Sequence, residues 1–318
     1  MTLEPQIALC VKINLVFMTF TEAPGVNPKQ KDVKSALIAN HIELPDKEFI
    51  PVLYLLVGPC RTGTSIYLQV FSNSNIDSFN NPIKHSLQKI MFGDGGTFKV
   101  QPLSKLFFKE SIGAITENES KLNPVEVLIE AKYPADKIKL IANIREPLST
   151  FSSWIATYQD KQQRSNLLQN FLMAYNSIPR IIKTAEKHKI QTTSIVYEAF
   201  RDNTPKSVVR ALMDRIDIEY TDESIQGWSH PDSSNSRIHF GDRPQIFKRS
   251  TEDTFNQSTN LSFFPKTIAE LQELLVAEEV TKIKSMELGK MYELIRQRAE
   301  NDLSITIQPS NQLENFPG

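Results

Sequence analysis

The stretch VLYLLVGPCRTGTS, residues 52–65, joins a continuous apolar run to a glycine-containing loop. The run from Val52 to Val57 is typical of a strand buried on both faces of a parallel sheet. The loop has the outline of a phosphate-binding P-loop, G-x-x-x-x-G-K-[ST], but Thr64 stands where the lysine belongs. The segment therefore predicts the first strand of a parallel α/β sheet, followed by an anion-binding turn.

The loop keeps the backbone features of an anion site but lacks the charge that a nucleoside triphosphate needs. Gly58 and Gly63 permit conformations in which successive N–H groups converge on one oxyanion. A helix that begins near Gly63 would add its positive N-terminal end. The usual lysine reaches the outer phosphates, whereas the cation here is Arg61, three positions earlier. We expect the loop to hold an oxyanion and to be a poor triphosphate site.

Apolar runs and helical patterns alternate along the rest of the chain. The patterns predict strands at 52–57, 105–109, 138–144 and 193–197, and helices at 64–73, 124–132, 147–159, 163–188 and 205–215. A long helical pattern from Pro265 to about Arg298 follows. Continuous apolar strands separated by helices of this length indicate a three-layer, P-loop-like α/β domain with a central, mostly parallel sheet flanked by helices.

Composition shifts divide the chain into three parts. Residues 1–50 are predicted to form an N-terminal extension or cap, and residues 51–300 the α/β domain. The polar segment 228–264 within that domain has no periodicity and is predicted to be a lid loop, since such long loops are often functional. Residues 301–318 are predicted to be a loose C-terminal tail.

The overall charge and the cysteine count exclude several classes of protein. The chain has 318 residues and a formal net charge of −1, so no global basic surface recruits nucleic acid or anionic lipid. Only Cys10 and Cys60 are present, which excludes a disulfide framework and suggests a reducing compartment. The apolar segment 7–20 is shorter than the roughly 20 residues of a membrane span, and no basic segment precedes it. We therefore expect a cytoplasmic protein with no membrane span and no nucleic-acid partner.

A second candidate site lies at the end of the predicted strand 138–144. This strand runs into Arg145, and Ser153 follows eight residues later in the predicted helix. In a doubly wound sheet, ligands bind outside the carboxyl ends of the strands, so Arg145 stands at the end where an anion would bind. A strand-end arginine that merely pairs with a glutamate is the structural alternative, and the residues alone leave it open.

Three motifs, in order, resemble those of the PAPS-dependent sulfotransferase family, where PAPS is 3′-phosphoadenosine-5′-phosphosulfate. RTGTS at 61–65 is similar to the family's [KR]-[ST]-G-T-[ST] loop, and Arg145 and Ser153 have the spacing of its R-[DE]-P-x-x-x-x-x-S motif. VYEAFRDNTP at 196–205 is similar to a third motif, V-x-Y-E-x-L-x-x-x-P. The resemblance spans residues 52–205, about half of the chain.

The resemblance implies a PAPS site and assigns roles to particular residues. The 5′-phosphosulfate would be held by Arg61, Thr62, Gly63, Thr64 and Ser65. Arg145 and Ser153 would bind the 3′-phosphate, and Tyr197 would approach the adenine. The family's late Arg-Lys-Gly loop has no clear copy here, and the nearest basic residues in that region are Lys248, Arg249 and Arg243.

Sulfuryl transfer requires stabilisation of the bridging oxygen and alignment of the acceptor, by analogy with phosphoryl transfer. Arg61 and the loop N–H groups suit the first task, and no metal is required. For the base, Glu110 beside Lys109 is the leading candidate, since that lysine could hold the carboxylate near the acceptor. His85 is the second candidate, because its ordinary pKa suits general base work. An unidentified group, or an acceptor that ionises by itself, is the third possibility.

The resemblance thus implies a sulfotransferase that moves a sulfuryl group from PAPS to a hydroxyl or amine and releases PAP. The acceptor would be a small molecule, a glycan or a lipid. A P-loop nucleotide kinase or NTPase-like enzyme is one alternative, although the missing loop lysine weighs against it. A non-catalytic, PAP-binding member of the family is the other.

Overall fold

The computed structural model describes residues 33–93, 96–226, 237–241 and 265–316, and a parallel sheet lies at its centre. The strands in chain order are β1 (Ile42–Glu43), β2 (Val52–Pro59), β3 (Asp77–Asn80), β4 (Phe98–Lys99), β5 (Lys105–Ile112), β6 (Ile138–Ile144), β7 (Gln191–Val196) and β8 (Ile238–Phe240). Six of them form one sheet in the order β7-β6-β2-β5-β3-β8, and each neighbouring pair is parallel. Strands β1 and β4 form a separate parallel pair. The prediction of an α/β domain with a central parallel sheet flanked by helices is confirmed.

Thirteen α-helices lie in the described ranges and connect or cover these strands. They are α1 (Ser35–Ala39), α2 (Ile66–Asn73), α3 (Pro82–Phe92), α4 (Glu117–Lys121), α5 (Pro124–Glu130), α6 (Pro147–Tyr158), α7 (Arg164–Lys187), α8 (Ala199–Asp202), α9 (Pro205–Arg215), α10 (Ile268–Leu274), α11 (Ala277–Ser285), α12 (Leu288–Leu303) and α13 (Gln312–Asn315). Several begin at a polar cap followed by proline. Asn123, Glu146 and Thr204 each accept the backbone N–H three residues ahead. Pro265 differs, because α10 starts later, at a capping box on Thr267.

Strand β2 lies inside the sheet, with a neighbouring strand on each side. It pairs with β5 on one side, where Leu55 lies opposite Phe108, and with β6 on the other, where Leu55 lies opposite Leu140. These three side chains are fully buried. Because the strands are parallel, β2, β5, β6 and β7 all end at the same edge of the sheet. That edge carries the loop after β2 and the residue Arg145 after β6.

The sequence patterns did not predict some of the strands and helices. Strand β3 has the polar sequence DSFN, and β8 is only three residues long, so neither shows an apolar run. Helix α3 follows β3 directly. The residue that precedes its first turn, Asn81, has a left-handed backbone conformation (φ 57°). The long pattern after Pro265 consists of three helices, α10 to α12.

The borders of the domain also differ from those predicted. Residues 33–50 pack with the domain, because Ile38 and Ile50 are buried in its core. Residues 301–316, expected to be a loose tail, pack as well: Ile307 is fully buried and Phe316 is nearly so. Within the predicted lid, residues 238–240 form strand β8, and residues 228–236 and 242–264 lie outside the described residues.

None of the helices in the described part of the chain combines the length and the apolar character that a bilayer crossing requires.

Candidate functional site

The loop between β2 and α2 has two residues in the left-handed region, Arg61 (φ 70°) and Gly63 (φ 82°). Glycine is needed at the second position for two reasons. A side chain there would be strained, and its Cβ would lie 2.6 Å from Cδ2 of Tyr197. The ring of Tyr197 therefore packs directly on the backbone of the loop.

Residues from neighbouring elements hold the loop in place. The Asn143 side chain at the end of β6 donates to the carbonyl of Thr62 (2.7 Å), and Trp154 Nε1 on α6 donates to the carbonyl of Cys60 (2.6 Å). The Thr62 hydroxyl donates to the carbonyl of Pro59 (2.8 Å). Because these bonds occupy loop carbonyl groups, the backbone is held before any ligand binds.

The backbone N–H groups of the loop are typical of an anion-binding site. Within the described part of the chain, the backbone N–H groups of Gly63, Thr64 and Ser65 have no acceptor in hydrogen-bonding geometry. They immediately precede α2, whose N-terminal end is positive. Successive free N–H groups at a helix start form an anion site.

Arg61 connects this loop to helix α6. Its Nε donates to the hydroxyl of Ser153 at 3.1 Å. The Ser153 hydroxyl accepts this bond and can still donate its own proton to a ligand. The structure thus joins the first and second sequence motifs by a direct hydrogen bond.

Arg145 and Tyr197 form the other half of the cluster. The Tyr197 backbone N–H donates to the carbonyl of Ile144 (2.9 Å), which extends the β6–β7 ladder and sets Tyr197 beside Arg145. The Arg145 guanidinium carbon lies 4.6 Å from the centre of the Tyr197 ring, in cation–π contact. The predicted residues Arg61, Gly63, Arg145, Ser153 and Tyr197 therefore lie in one cluster at the carboxyl edge of the sheet.

Two buried carboxylates lie behind Arg145, and the sequence reasoning did not assign them a role. Glu146 caps α6 by accepting the backbone N–H of Ser149 (2.7 Å), and Glu198 Oε1 accepts the backbone N–H of Glu146 (3.1 Å). Burial, with a smaller contribution from Glu198, raises the pKa of Glu146 to about 7, against the lowering effect of the Ser149 and Leu148 amides and of Arg145. Burial also raises the pKa of Glu198. Arg145 thus acts electrostatically on both glutamates, as the structural alternative to an anion site requires.

Glu110, the leading candidate for the base, occupies the N-terminal end of α3. Its Oε1 accepts the backbone N–H of Ile83 (2.7 Å), and its Oε2 accepts that of Lys84 (3.2 Å). The side chain is fully buried. Burial raises its pKa to about 7, although these two amides and the charges of Lys109 and Lys84 lower it. Glu110 thus caps a helix, and its role as a base stays a prediction.

Lys109 and His85 are both buried rather than exposed. Lys109 Nζ donates to the side-chain oxygen of Asn80 on β3 (3.0 Å). His85 lies on the first turn of α3, and its ring packs against Gly241, where an added Cβ would lie 2.9 Å from Nδ1. Neither residue is a surface group.

Lys84 is a buried residue that no motif indicated. Its ammonium donates to the carbonyl groups of Ser111 (3.1 Å) and Gly113 and pairs with Glu119 (3.3 Å). It also lies 3.7 Å from the sulfur of Cys60, directly before Arg61. Lys84 thus contacts the residue that precedes Arg61 in the loop. The only sequence signal near Lys84 is the helix-starting pair Asn81-Pro82, two residues earlier.

The other predicted basic residues, Lys248, Arg249 and Arg243, lie outside the described residues. In the described ranges, no three His, Cys, Asp or Glu side chains come together in a way that could hold a metal ion.

The cluster brings two arginines to one edge of the sheet. Arg61 hydrogen-bonds to Ser153 beside the loop N–H groups, and Arg145 lies over the ring of Tyr197. No protein-family model matches the chain, and no curated protein matches it either.

Proposed function

We propose that this chain is a PAPS-dependent sulfotransferase, which transfers the sulfuryl group of PAPS to a hydroxyl or amine and releases PAP. One observation carries the proposal: residues from three separate motifs cluster around one loop. Ser153 hydrogen-bonds to Arg61, and Tyr197 packs on Gly63 and on Arg145. Such a cluster suits a nucleotide with a 5′-phosphosulfate and a 3′-phosphate.

The loop would act at the reacting end. The free N–H groups of Gly63, Thr64 and Ser65 would bind the oxyanion, and Arg61 would stabilise the negative charge that develops on the bridging oxygen. Loss of one such donor typically lowers the rate by about 100- to 1000-fold. Because Asn143 and Trp154 hold the loop, these donors need little reorganisation during the reaction.

Arg145, Ser153 and Tyr197 would recognise the other end of the nucleotide. Arg145 would form charge-assisted hydrogen bonds to the 3′-phosphate, and the Ser153 hydroxyl would donate to it while accepting from Arg61. The Tyr197 ring would lie against the adenine. The shared Arg61–Ser153 bond would tie the 3′-phosphate site to the reacting end.

The proposed base is Glu110, with His85 as the second candidate and Lys109 as the cation beside Glu110. The raised pKa of Glu110, about 7, suits general base work. Its two oxygens, however, accept N–H groups of α3. This capping role favours one alternative, a PAP-binding member of the family that has no catalytic base. The proposed acceptor is a small molecule, a glycan or a lipid, and the proposed location is the cytoplasm.

Calorimetric titration separates the sulfotransferase from an NTPase-like enzyme. PAP should bind without magnesium, and ATP with magnesium should bind much more weakly, because Thr64 replaces the loop lysine. Tight binding of ATP with magnesium and none of PAP would refute the proposal. Turnover of PAPS on a panel of hydroxyl and amine acceptors then separates the enzyme from a non-catalytic binder.

A matched pair of variants tests the site itself. Ser153→Ala removes the hydroxyl that connects Arg61 to the predicted 3′-phosphate site. Ser152→Ala is the control, since the neighbouring Ser152 hydroxyl donates to the carbonyl of Ser149 within the same helix. PAP binding should weaken in the first variant and stay unchanged in the second.

A further inference from the structure

Glu146 and Glu198, the carboxylate pair, adjoin two of the residues assigned to the nucleotide, Arg145 and Tyr197. Glu146 follows Arg145 in the chain, and Glu198 follows Tyr197. Both side chains are almost completely buried, at 2% and 3% exposure. The Glu146 backbone N–H joins the pair through its 3.1 Å bond to Glu198 Oε1. Any change in charge at Arg145 must therefore act on two carboxylates that water does not screen.

The hydrogen bonds available to the pair are incomplete. Glu146 Oε2 accepts from Ser149, and Glu198 Oε1 accepts from Glu146. In the described part of the chain, no donor reaches Glu146 Oε1 or Glu198 Oε2 in good hydrogen-bonding geometry, although the Leu148 amide and the Tyr292 hydroxyl lie near enough to lower the pKa of Glu146 and of Glu198, respectively. Buried oxygens without donors favour the protonated form of a carboxylic acid, since that form needs less solvation.

The charged and titratable groups around the pair come from four elements in the described ranges. They are Arg145 after β6, Tyr175 on α7, Arg201 on α8 and Tyr292 on α12. Two of these groups, Tyr175 and Arg201, form hydrogen bonds with partners other than the carboxylate pair. The Tyr175 hydroxyl donates to the carbonyl of Arg145 (2.7 Å), and Arg201 binds both carboxylate oxygens of Asp202 at 2.7 Å.

Arg145 is thus a main source of compensating charge for the carboxylate pair. It lowers the pKa of both carboxyls against the larger effect of burial, and their mutual repulsion raises that of Glu146. A phosphate bound by Arg145 would bring additional negative charge and share the same cation. The carboxylate pair would then be harder to keep fully ionised, so it should gain a proton.

We infer that Glu146 and Glu198 together take up a proton when a 3′-phosphorylated nucleotide binds at Arg145, so that the affinity for this nucleotide falls as the pH rises above neutral. The inference rests on the proposed function, because it needs a 3′-phosphate beside Arg145. Glu146 and Glu198 are positioning residues in this account: they act through Arg145 and do not touch the nucleotide.

The test is titration calorimetry of the full chain with PAP between about pH 6.5 and pH 8.5, in buffers that differ in ionisation enthalpy. The buffer dependence of the heat gives the number of protons taken up. Wild type should take up a fraction of a proton per PAP, and its affinity should fall by up to about tenfold per pH unit. Adenosine 5′-phosphosulfate, which lacks the 3′-phosphate, should bind with no comparable uptake.

Glu198→Gln assigns the proton to the pair. Glutamine keeps the shape and an oxygen for the Glu146 N–H, but removes one of the two charges. Proton uptake should fall and the pH dependence should flatten in this variant. The ionisation of PAP itself is the same with both proteins and cancels in the comparison. Glu146→Gln, which keeps an oxygen for the Ser149 N–H, replaces this variant if Glu198→Gln fails to fold.

The outcomes separate the inference from the proposed function. If wild type binds no PAP at any pH, the proposed function fails. If PAP binds with the same affinity across the range, or with equal proton uptake in wild type and Glu198→Gln, the inference is overturned and the sulfotransferase proposal stands. If neither variant folds, the wild-type comparison of PAP with adenosine 5′-phosphosulfate decides, because equal uptake for both ligands overturns the inference.

Discussion

Replacement of Arg145 by methionine should separate the two ends of the nucleotide. Methionine keeps much of the side-chain length over the Tyr197 ring but removes the charge. One charge-assisted hydrogen bond to phosphate contributes about 1.5–3 kcal/mol, so PAP binding should weaken by roughly 10- to 150-fold. Adenosine 5′-phosphosulfate has no 3′-phosphate, and its affinity should change little.

The same substitution should also make the stability of the protein depend on pH. Without Arg145, the folded-state pKa of Glu146 should rise beyond its present value of about 7, further above the unfolded value of about 4.3. A raised folded-state pKa means that the folded protein holds the proton to higher pH. The added stability loss should therefore be small in acid and grow as the pH rises through neutrality, towards about 3–5 kcal/mol if the carboxylates are forced to ionise.

Calorimetry with both nucleotides and urea unfolding at several pH values measure these effects. Arg180→Met is the matched control, because Arg180 donates to the carbonyl of Lys121 and lies outside the cluster. Equal losses of affinity for PAP and adenosine 5′-phosphosulfate would refute the assignment of Arg145 to the 3′-phosphate. A stability loss that does not vary with pH would refute the coupling of Arg145 to the carboxylate pair.

Three further substitutions or conditions probe the loop and the base. Gly63→Ala should abolish measurable PAP binding and lower the free energy of unfolding in urea by about 1–3 kcal/mol. The reason is that residue 63 has a positive φ and that the alanine Cβ would clash with the ring of Tyr197. Normal PAP binding by this variant would contradict the loop geometry. Glu110→Gln should lower turnover by about 100- to 10,000-fold at nearly unchanged PAP affinity if Glu110 is the base, whereas an essential His85 in His85→Ala assays would move that role. Turnover should persist in excess EDTA, and rescue by magnesium after its loss would favour the NTPase-like alternative.

The local pattern of residues was enough for much of the fold. The apolar runs that predicted β2, β5, β6 and β7 are buried strands in the structure, and three helices begin at local caps formed by Asn123, Glu146 and Thr204. Such signals involve residues only a few positions apart, so they can be recognised from the sequence alone. Strand β3 was missed because DSFN forms a strand only through its partners β5 and β8.

In the candidate site, too, the sequence predicted some features and the packing of distant segments decided others. Arg61, Arg145, Ser153 and Tyr197 were predictable, because motif spacing and the parallel sheet bring residues at strand ends to one edge. Their exact partners were not. Glu110 follows the predicted strand 105–109, but β5 continues to Ile112, so Glu110 lies within the strand. There it caps α3, because the first N–H groups of that helix have no partner within the helix and donate to its carboxylate.

By itself, the sequence determined the parallel sheet, the order of its main elements and the edge of the sheet at which Arg61 and Arg145 lie. Tertiary structure alone decided which buried charges meet. Glu146 and Glu198 are 52 residues apart yet share a hydrogen bond, and Lys84 and Glu119, 35 residues apart in the chain, form an ion pair beneath the loop. The physical reason is that a buried charge is tolerated only with partners, and those partners are supplied by the packing of distant segments, which no local pattern encodes.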